Sequence, residues 1–314
     1  MPLRLGQSAR RRHNYGDRDA DGWDDRGRSI DATGDGNGCC VRLILAFLIV
    51  AAVTGASVTA MLLVRRGAPD GSYFHDGDRA AGVFGVLATG FAVLLGFVVF
   101  LTFDSYDSAR TGAEAEALAV TQQVETAQFF PQPVATQLTG LLVCYARSVT
   151  GVQWERMENG TLGEQINPWA ADMFRAVLPV EPQTAAQQSA YDRWLDQTST
   201  REEARIARVH GAVGVIPAPL WIVLFFTALL IFGFILFFAD SGEGPFVQAM
   251  LMGSVMSGLT MMMLLLYALD NPFHPGIGGL KPVAMERALQ IIDQELDVAN
   301  VKISAPCDLV GNHI

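Results

Sequence analysis

Three arginines, Arg201, Arg205 and Arg208, stand at i, i+4 and i+7 just before an apolar run that begins at Val215. On a helix this spacing lines three guanidinium groups along one stripe. Beside a membrane such a stripe either concentrates anions at the mouth of a pore or contacts headgroups and sets topology. Asp104, Asp107 and Arg110 follow another apolar run in the same way. These six side chains are the candidates for a charged mouth.

Other reactive residues are scattered. Asp17, Asp19, Asp21 and Gly22 reproduce the opening of a calcium loop, but its twelfth position is Arg28 instead of a bidentate Glu; a solvated mixed-charge tail is the competing reading. The four cysteines, Cys39, Cys40, Cys144 and Cys307, have no metal-ligand or redox spacing, so no disulfide framework is expected. Cys39 and Cys40 suit either acylation or small apolar filling. The five histidines, His13, His75, His210, His274 and His313, form no cluster in the sequence, and there is no phosphate loop, HExxH or Ser-centred elbow. The expectation is a protein that is not an enzyme and has no metal site or cofactor.

The elements that would position the charged mouth are membrane helices. Half of the residues are hydrophobic and only 17% are charged, which requires apolar and polar segments to be segregated. Four spans emerge, at residues 41–64, 80–103, 215–239 and 247–269. The second continues past Phe103 without Pro or Gly to stop it, so one rod leaves the bilayer and enters a polar helical layer. No ionisable residue lies deep in a span, so the usual mark of a proton relay or ion-coupled transporter is missing.

The expected organisation is all-α: a disordered polar tail (1–40), a transmembrane hairpin (41–103), a soluble helical insert (104–214), a second hairpin (215–269) and a C-terminal segment with a docking helix (270–314). The insert and the C-terminal helix together form a cytoplasmic bundle. Four spans put both termini on one side. With cytoplasmic termini, Arg26, Arg28, Arg42, Arg110, Arg201, Arg205, Arg208 and Lys281 lie inside, against Arg65, Arg66 and Arg79 outside, which selects the cytoplasm of a multi-pass cell-membrane protein. The net charge of −10 includes no basic segment suited to nucleic acid. The bilayer and further copies of the chain are the expected partners.

In the second span Ala88, Ala92 and Gly96 form a small-residue seam for close helix approach. Phe84, Leu87, Phe91 and Leu95 form a bulky face, which either lines a dewetting constriction or packs in the bundle or against lipid. The Phe-rich third span suits lipid, and the fourth, with Gly253, Ser254, Ser257 and Gly258 among methionines, suits the bundle interior. In the insert, prolines at 131 and 133 end the rod. A helix follows from Val134, then a loop. A short helix is expected to bury Trp169, Met173, Phe174 and Val177. A long returning helix carries Tyr191, Trp194, Leu195, Ile206 and Val209. After the fourth span, Asp270, Asn271, Pro272 and Phe273 make a capped exit turn. A docking helix covers 282–298, and residues 304–314 look loose.

Gly96, Phe97 and Val98 through Asp104, Ser105, Tyr106, Asp107 and Arg110, the 205–217 stretch with Trp221, and Asp270 to Phe273 with Pro282 together resemble the bestrophin-like domain family of bacterial membrane proteins. The resemblance covers roughly residues 41–297. It implies a remote likeness to bestrophins, which are pentameric four-span anion channels with cytoplasmic termini and a pore lined by the second helix. That places Phe84, Leu87, Phe91 and Leu95 near a neck and makes inorganic anions the implied solute. The acidic calcium clasp of bestrophins is represented here by Asp270 alone. An oligomeric anion channel and a non-conducting scaffold that docks partners on its insert are the two functional expectations.

Overall fold

The computed structural model describes residues 32–69, 73–161, 167–276 and 278–314. The expected calcium loop at Asp17 to Gly22 lies outside the described residues, as does all of the expected disordered tail up to residue 31. Nine α-helices occur among the described residues: α1 Ala32–Arg65, α2 Gly77–Ala127, α3 Val134–Ser148, α4 Trp154–Glu158, α5 Pro168–Val177, α6 Ala185–His210, α7 Ala218–Phe237, α8 Pro245–Asp270 and α9 Val283–Val298. A π-helical turn, Val149–Gln153, joins α3 to α4.

Among the described residues four helices are long and apolar enough to cross a membrane: Leu43–Arg65 of α1, and α2, α7 and α8. α2 has 51 residues and reaches about 75 Å at ~1.5 Å per residue, roughly half in the apolar layer and half beyond it. Asp76 caps its start by accepting the Arg79 amide at 3.1 Å. No proline interrupts it before Ala127.

Within the apolar layer, consecutive spans are not the main neighbours. α1 packs along α8, while α2 packs on α7 and α8. Gly253 of α8 lets α1 approach, since a Cβ there would sit 3.5 Å from Thr54 and 3.6 Å from Val58. Met61 of α1 and Met252 and Met256 of α8 fill the adjoining core. The reason is shape: thioethers and small residues let these two helices mesh, whereas the bulky face of α2 finds space against Leu224, Ala228 and Ile231 of α7 and Met263 and Leu266 of α8. Arg65 closes the far end by donating to the carbonyls of Ser241, at 3.0 Å, and Glu243.

Beyond the apolar layer the dominant contact is α2 against α6. It is close because two glycines permit it. A Cβ on Gly112 would lie 2.8 Å from the Ala204 carbonyl and from the Arg208 amide nitrogen, and one on Gly211 would lie 2.3 Å from the Ala109 Cβ. α3, α5 and α9 complete a bundle whose core includes Val120, Leu138, Leu142, Trp169, Trp194 and Ile292. The expected buried faces hold at Trp169, Met173, Val177, Trp194 and Val209, but Phe174, Leu195 and Ile206 point outward. The reason is that α5 and α6 each bury a narrower stripe than their apolar content suggests.

The C-terminal segment is not loose. Cys144 and Cys307 form a disulfide between α3 and the tail, correcting the expectation drawn from cysteine spacing; their separation of 163 residues leaves no local pattern to read. The Trp169 indole donates to the Gly311 carbonyl at 2.9 Å, and the His313 ring stacks on it at 3.7 Å. The Asp308 carboxylate accepts the amides of Val310 and Asn312 at 3.0 and 2.7 Å. Gly311, at φ +84°, lies so close to Ser148 that a Cβ would fall 2.2 Å from its amide nitrogen.

Gly112→Ala must push α6 away from α2, because the obstructing atoms are backbone. A loss of about 1–3 kcal/mol of stability is expected, measured as a lowered thermal or denaturant midpoint of the purified protein.

Candidate functional site

Two of the three striped arginines are turned inward. Arg208 and Glu116 are both 0% exposed. Nε and Nη2 of Arg208 donate to the two carboxylate oxygens of Glu116, the latter at 3.0 Å. Nη2 also donates to Gln153 Oε1 at 3.2 Å. The Tyr145 hydroxyl donates to Glu116 Oε1 at 2.5 Å. Above this, Arg201 lies 4.8 Å over the Tyr145 ring and donates to Gln123 Oε1 at 2.8 Å, while Gln123 Nε2 donates to Thr198. Arg201 also pairs with the half-exposed Glu202 at 3.1 Å. The expected exposed stripe is therefore corrected for Arg201 and Arg208: α6 faces α2, and the carboxylate and amides of α2 receive them. Arg205 is half-buried between them.

Burial pushes the Tyr145 hydroxyl well above its ordinary range, and the Glu116 carboxylate adds to the shift. It thus remains a donor. For Arg208, burial pulls the guanidinium down, but attraction to Glu116 outweighs it and the group lies above its ordinary value. The pair is a fixed ionic bolt between the rod and α6.

Glu116, Gln123, Tyr145 and Gln153 were not among the expected site residues. One signal was available: Glu116 falls in register with Gly112, Val120, Gln123 and Ala127 on the buried stripe of α2, so a carboxylate there needed a buried cation.

At the membrane exit, Asp104, Asp107 and Arg110 are exposed on α2. Arg110 is engaged by Glu114 at 3.2 Å. Asp270 is buried and accepts the Ile216 amide at 3.0 Å, joining the end of α8 to the entry of α7. Asn271 donates to the Tyr267 carbonyl, and the Pro272 carbonyl accepts the Leu280 amide at 2.7 Å. Phe273 is buried against Trp154 at a centroid distance of 5.1 Å, and Tyr106 donates to the Gly278 carbonyl at 2.7 Å. This turn is a fastening between span, rod and bundle, beyond the capped exit turn read from the sequence.

In the second span the bulky face takes the packed one of its two readings, and the small-residue seam does not meet another helix as expected. Phe91, 6% exposed, and Leu95 are buried against α7 and α8, and Phe84 and Leu87 pack on the same cluster. The open face carries Val86, 77% exposed, with Val93, Phe97 and Phe100. A Cβ at Gly90 or Gly96 would meet nothing within 4 Å. Of the seam, Ala92 and Gly96 are exposed and Ala88 is half-buried, while the bulky face is covered. Elsewhere, a groove of about 750 Å³ between α1, α7 and α8 is lined by Ile49, Val53, Trp221, Phe225, Met256 and Met263. Among the described residues no three His, Cys, Asp or Glu side chains converge as a metal site.

Four apolar helices, with the second prolonged into a helical bundle that receives the C-terminal helix, define a polytopic α-helical membrane protein. Residues 48–278 match the bestrophin-like domain, and the chain belongs to the bestrophin-like family. Its fold is similar to a bacterial bestrophin homologue from Klebsiella pneumoniae solved by Zn-SAD phasing, with a TM-score of 0.55 at 14% identity over 83% of this chain and 99% of that one. A variant of the Klebsiella pneumoniae homologue gives 0.53 at 15% identity, covering 80% and 99%. A further crystal structure, described as a membrane protein, gives 0.55 at 15% identity, covering 79% and 97%. No curated protein matches the chain.

Glu116→Ala strands Arg208 in the bundle and is expected to cost about 3–5 kcal/mol of stability, read from chemical denaturation. Tyr145→Phe is expected to cost about 1.5–3 kcal/mol at neutral pH. Because the folded-state pKa of Tyr145 is raised, its contribution is complete below the unfolded value of about 10 and is lost as pH climbs beyond that. The gap between wild type and Tyr145→Phe is therefore expected to narrow above about pH 10, in denaturation curves recorded across that range.

Proposed function

We propose that the chain assembles as a ring of identical subunits that conducts small inorganic ions, with α2 innermost. The observation that carries this reading is the open face of α2. Val86, Val93, Phe97 and Phe100 continue along one uninterrupted helix into Asp104 and Asp107, and all are exposed in a single subunit. Helices arranged around a symmetry axis would turn that face onto a central path. Bulky apolar side chains there would form a dry constriction, so the neck is assigned to Phe97 and Phe100 in place of Phe84, Leu87, Phe91 and Leu95.

The family resemblance implies anions. A second reading, cations, is favoured by one observation: Arg201 and Arg208 are buried and engaged, Arg110 is paired with Glu114, and Asp104 and Asp107 remain exposed at the mouth. Rings of carboxylates favour cations. In either case the bundle and both termini are assigned to the cytoplasm of the cell membrane, on the eight-to-three bias of flanking basic residues. The non-conducting scaffold is the reading to which a monomer would return.

In mild detergent the particle mass is expected to be a multiple of the 33.9 kDa subunit; a strict monomer would sink the channel. In liposomes under a potassium chloride gradient, Phe97→Ala and Phe100→Ala are expected to raise flux. Phe91→Ala is instead expected to lose about 3–5 kcal/mol of stability without added flux. The sign of the reversal potential decides between chloride and potassium, and Asp104→Asn with Asp107→Asn should shift it toward chloride.

A further inference from the structure

We propose that the Cys144–Cys307 bond is a reversible thiol–disulfide latch that fastens the C-terminal segment onto the π-turn of the bundle and, through it, onto the α2 rod. The inference rests on the cytoplasmic placement proposed above, because disulfides in that compartment are usually transient or redox-sensing.

Three observations support a latch over a static staple. The guanidinium of Arg147 lies 4.0 Å from Cys307 Sγ, and a cation beside a sulfur stabilises its thiolate. Past Cys307 the segment is held by the Trp169 and Ser148 contacts and not by aliphatic burial, since Leu309, Val310 and Ile314 are all exposed, and segments with few buried apolar contacts open at lower cost than a core. Both sulfurs are buried, so a reductant reaches them only when the segment has lifted, which couples the chemistry to the movement.

The segment also touches the part of the bundle that grips α2. Gly311 packs against Ser148, and the Val310 carbonyl oxygen lies so close to Gly151 that a Cβ there would fall 2.7 Å from it. Both contacts are at the π-turn or the residue before it. The Ser148 hydroxyl accepts from Gln153 at 3.0 Å and from Asn167 at 3.2 Å. Gln153 in turn accepts from Arg208, which holds Glu116. Released, the tail leaves the π-turn unsupported and loosens one of the ties on Arg208.

The reaction is an exchange with a dithiol. One thiolate of the reductant attacks a sulfur of the bond, forms a mixed disulfide and expels the other cysteine as a thiolate; the reductant's second thiol then displaces the remaining cysteine. The protein gains two electrons and two protons in this exchange, and the reductant leaves as its own disulfide.

The test uses the full-length protein in detergent, equilibrated with graded ratios of reduced to oxidised dithiothreitol, with thiols counted by alkylation and mass, and amide exchange followed in parallel. The expected result is reversible interconversion between no free thiol and two at this pair. On reduction, exchange at residues 304–314 and 149–153 should rise about tenfold or more while α2 and α6 amides keep their protection. Cys307→Ser should show the fast-exchanging pattern whatever the ratio. A bond that resists reduction until the bundle unfolds, a pair that never oxidises, or exchange that is the same in both states would overturn the latch. In cells, acid-quenched alkylation should find the pair responsive to a thiol oxidant; a bond closed in every condition would overturn it also. Asn159→Cys labelled by an impermeant reagent in intact cells would overturn the cytoplasmic placement, and switching in cells with it, a failure distinct from resistance to reduction in the purified protein.

Discussion

The carboxylate of Glu116 has no access to water, and the bundle is arranged around that fact. Removing an ion pair from water costs several kcal/mol per charge, recovered only when the geometry is good and every remaining donor and acceptor is met. Here the carboxylate receives two bonds from Arg208 and one from Tyr145, and Arg208 adds Gln153. Such a pair is weak evidence for extra stability. Its value is register: α6 can slide or rotate against α2 only by stranding a charge. The glycines at 112 and 211 bring the two backbones close enough for the bonds to form, so packing and electrostatics specify the same alignment.

Among the described residues the membrane part shows no comparable bolt, and this explains what was legible in the sequence. The spans could be read because crossing a hydrocarbon layer demands a long run of uncharged residues, and proline positions marked where the helices of the bundle begin and end. The sequence offers Val283, Ala284, Leu289, Ile292 and Leu296 as the docking stripe of α9; Ile292 and Leu296 are buried, Ala284 and Leu289 partly so, but Met285 and Ala288 take the place of the exposed Val283. The inner face of α2 could not be read the same way. In lipid, Phe91 and Phe97 are equally at home facing outward, so hydrophobicity carries no sign of which one packs inside. That sign is supplied by the shape of α7 and α8, which accept Phe91 and Leu95.

The arginine stripe failed to be legible for the opposite reason. Spacing on α6 correctly placed Arg201 and Arg208 on one face, but whether that face meets water or protein depended on Gln123 and Glu116, many residues earlier in the chain. The buried-stripe register of Glu116 was the only local hint. The same holds for the C-terminal segment, whose polar and glycine-containing sequence reads as a free end until Trp169, Ser148 and Cys144 are brought beneath it. Partners separated by 78 to 163 residues leave no trace in local pattern, and it is such partners that fasten this fold.

The continuity of α2 has a mechanical consequence. Its outer half is clamped on several sides, and its one glycine there, Gly112, is wedged against α6. Its membrane half has a free side, where a side chain at Gly90 or Gly96 would meet only open space. Stiffness therefore falls along the helix from bundle to bilayer, and bending strain collects where side-chain support is thinnest. A tilt of about 5° imposed at the outer tip would swing the opposite end by about 3 Å over the ~36 Å of the span, if no bend absorbed it. The helix is a lever whose compliant arm lies in the membrane, so a small load on the bundle is expressed as curvature at the level of Gly90 to Gly96.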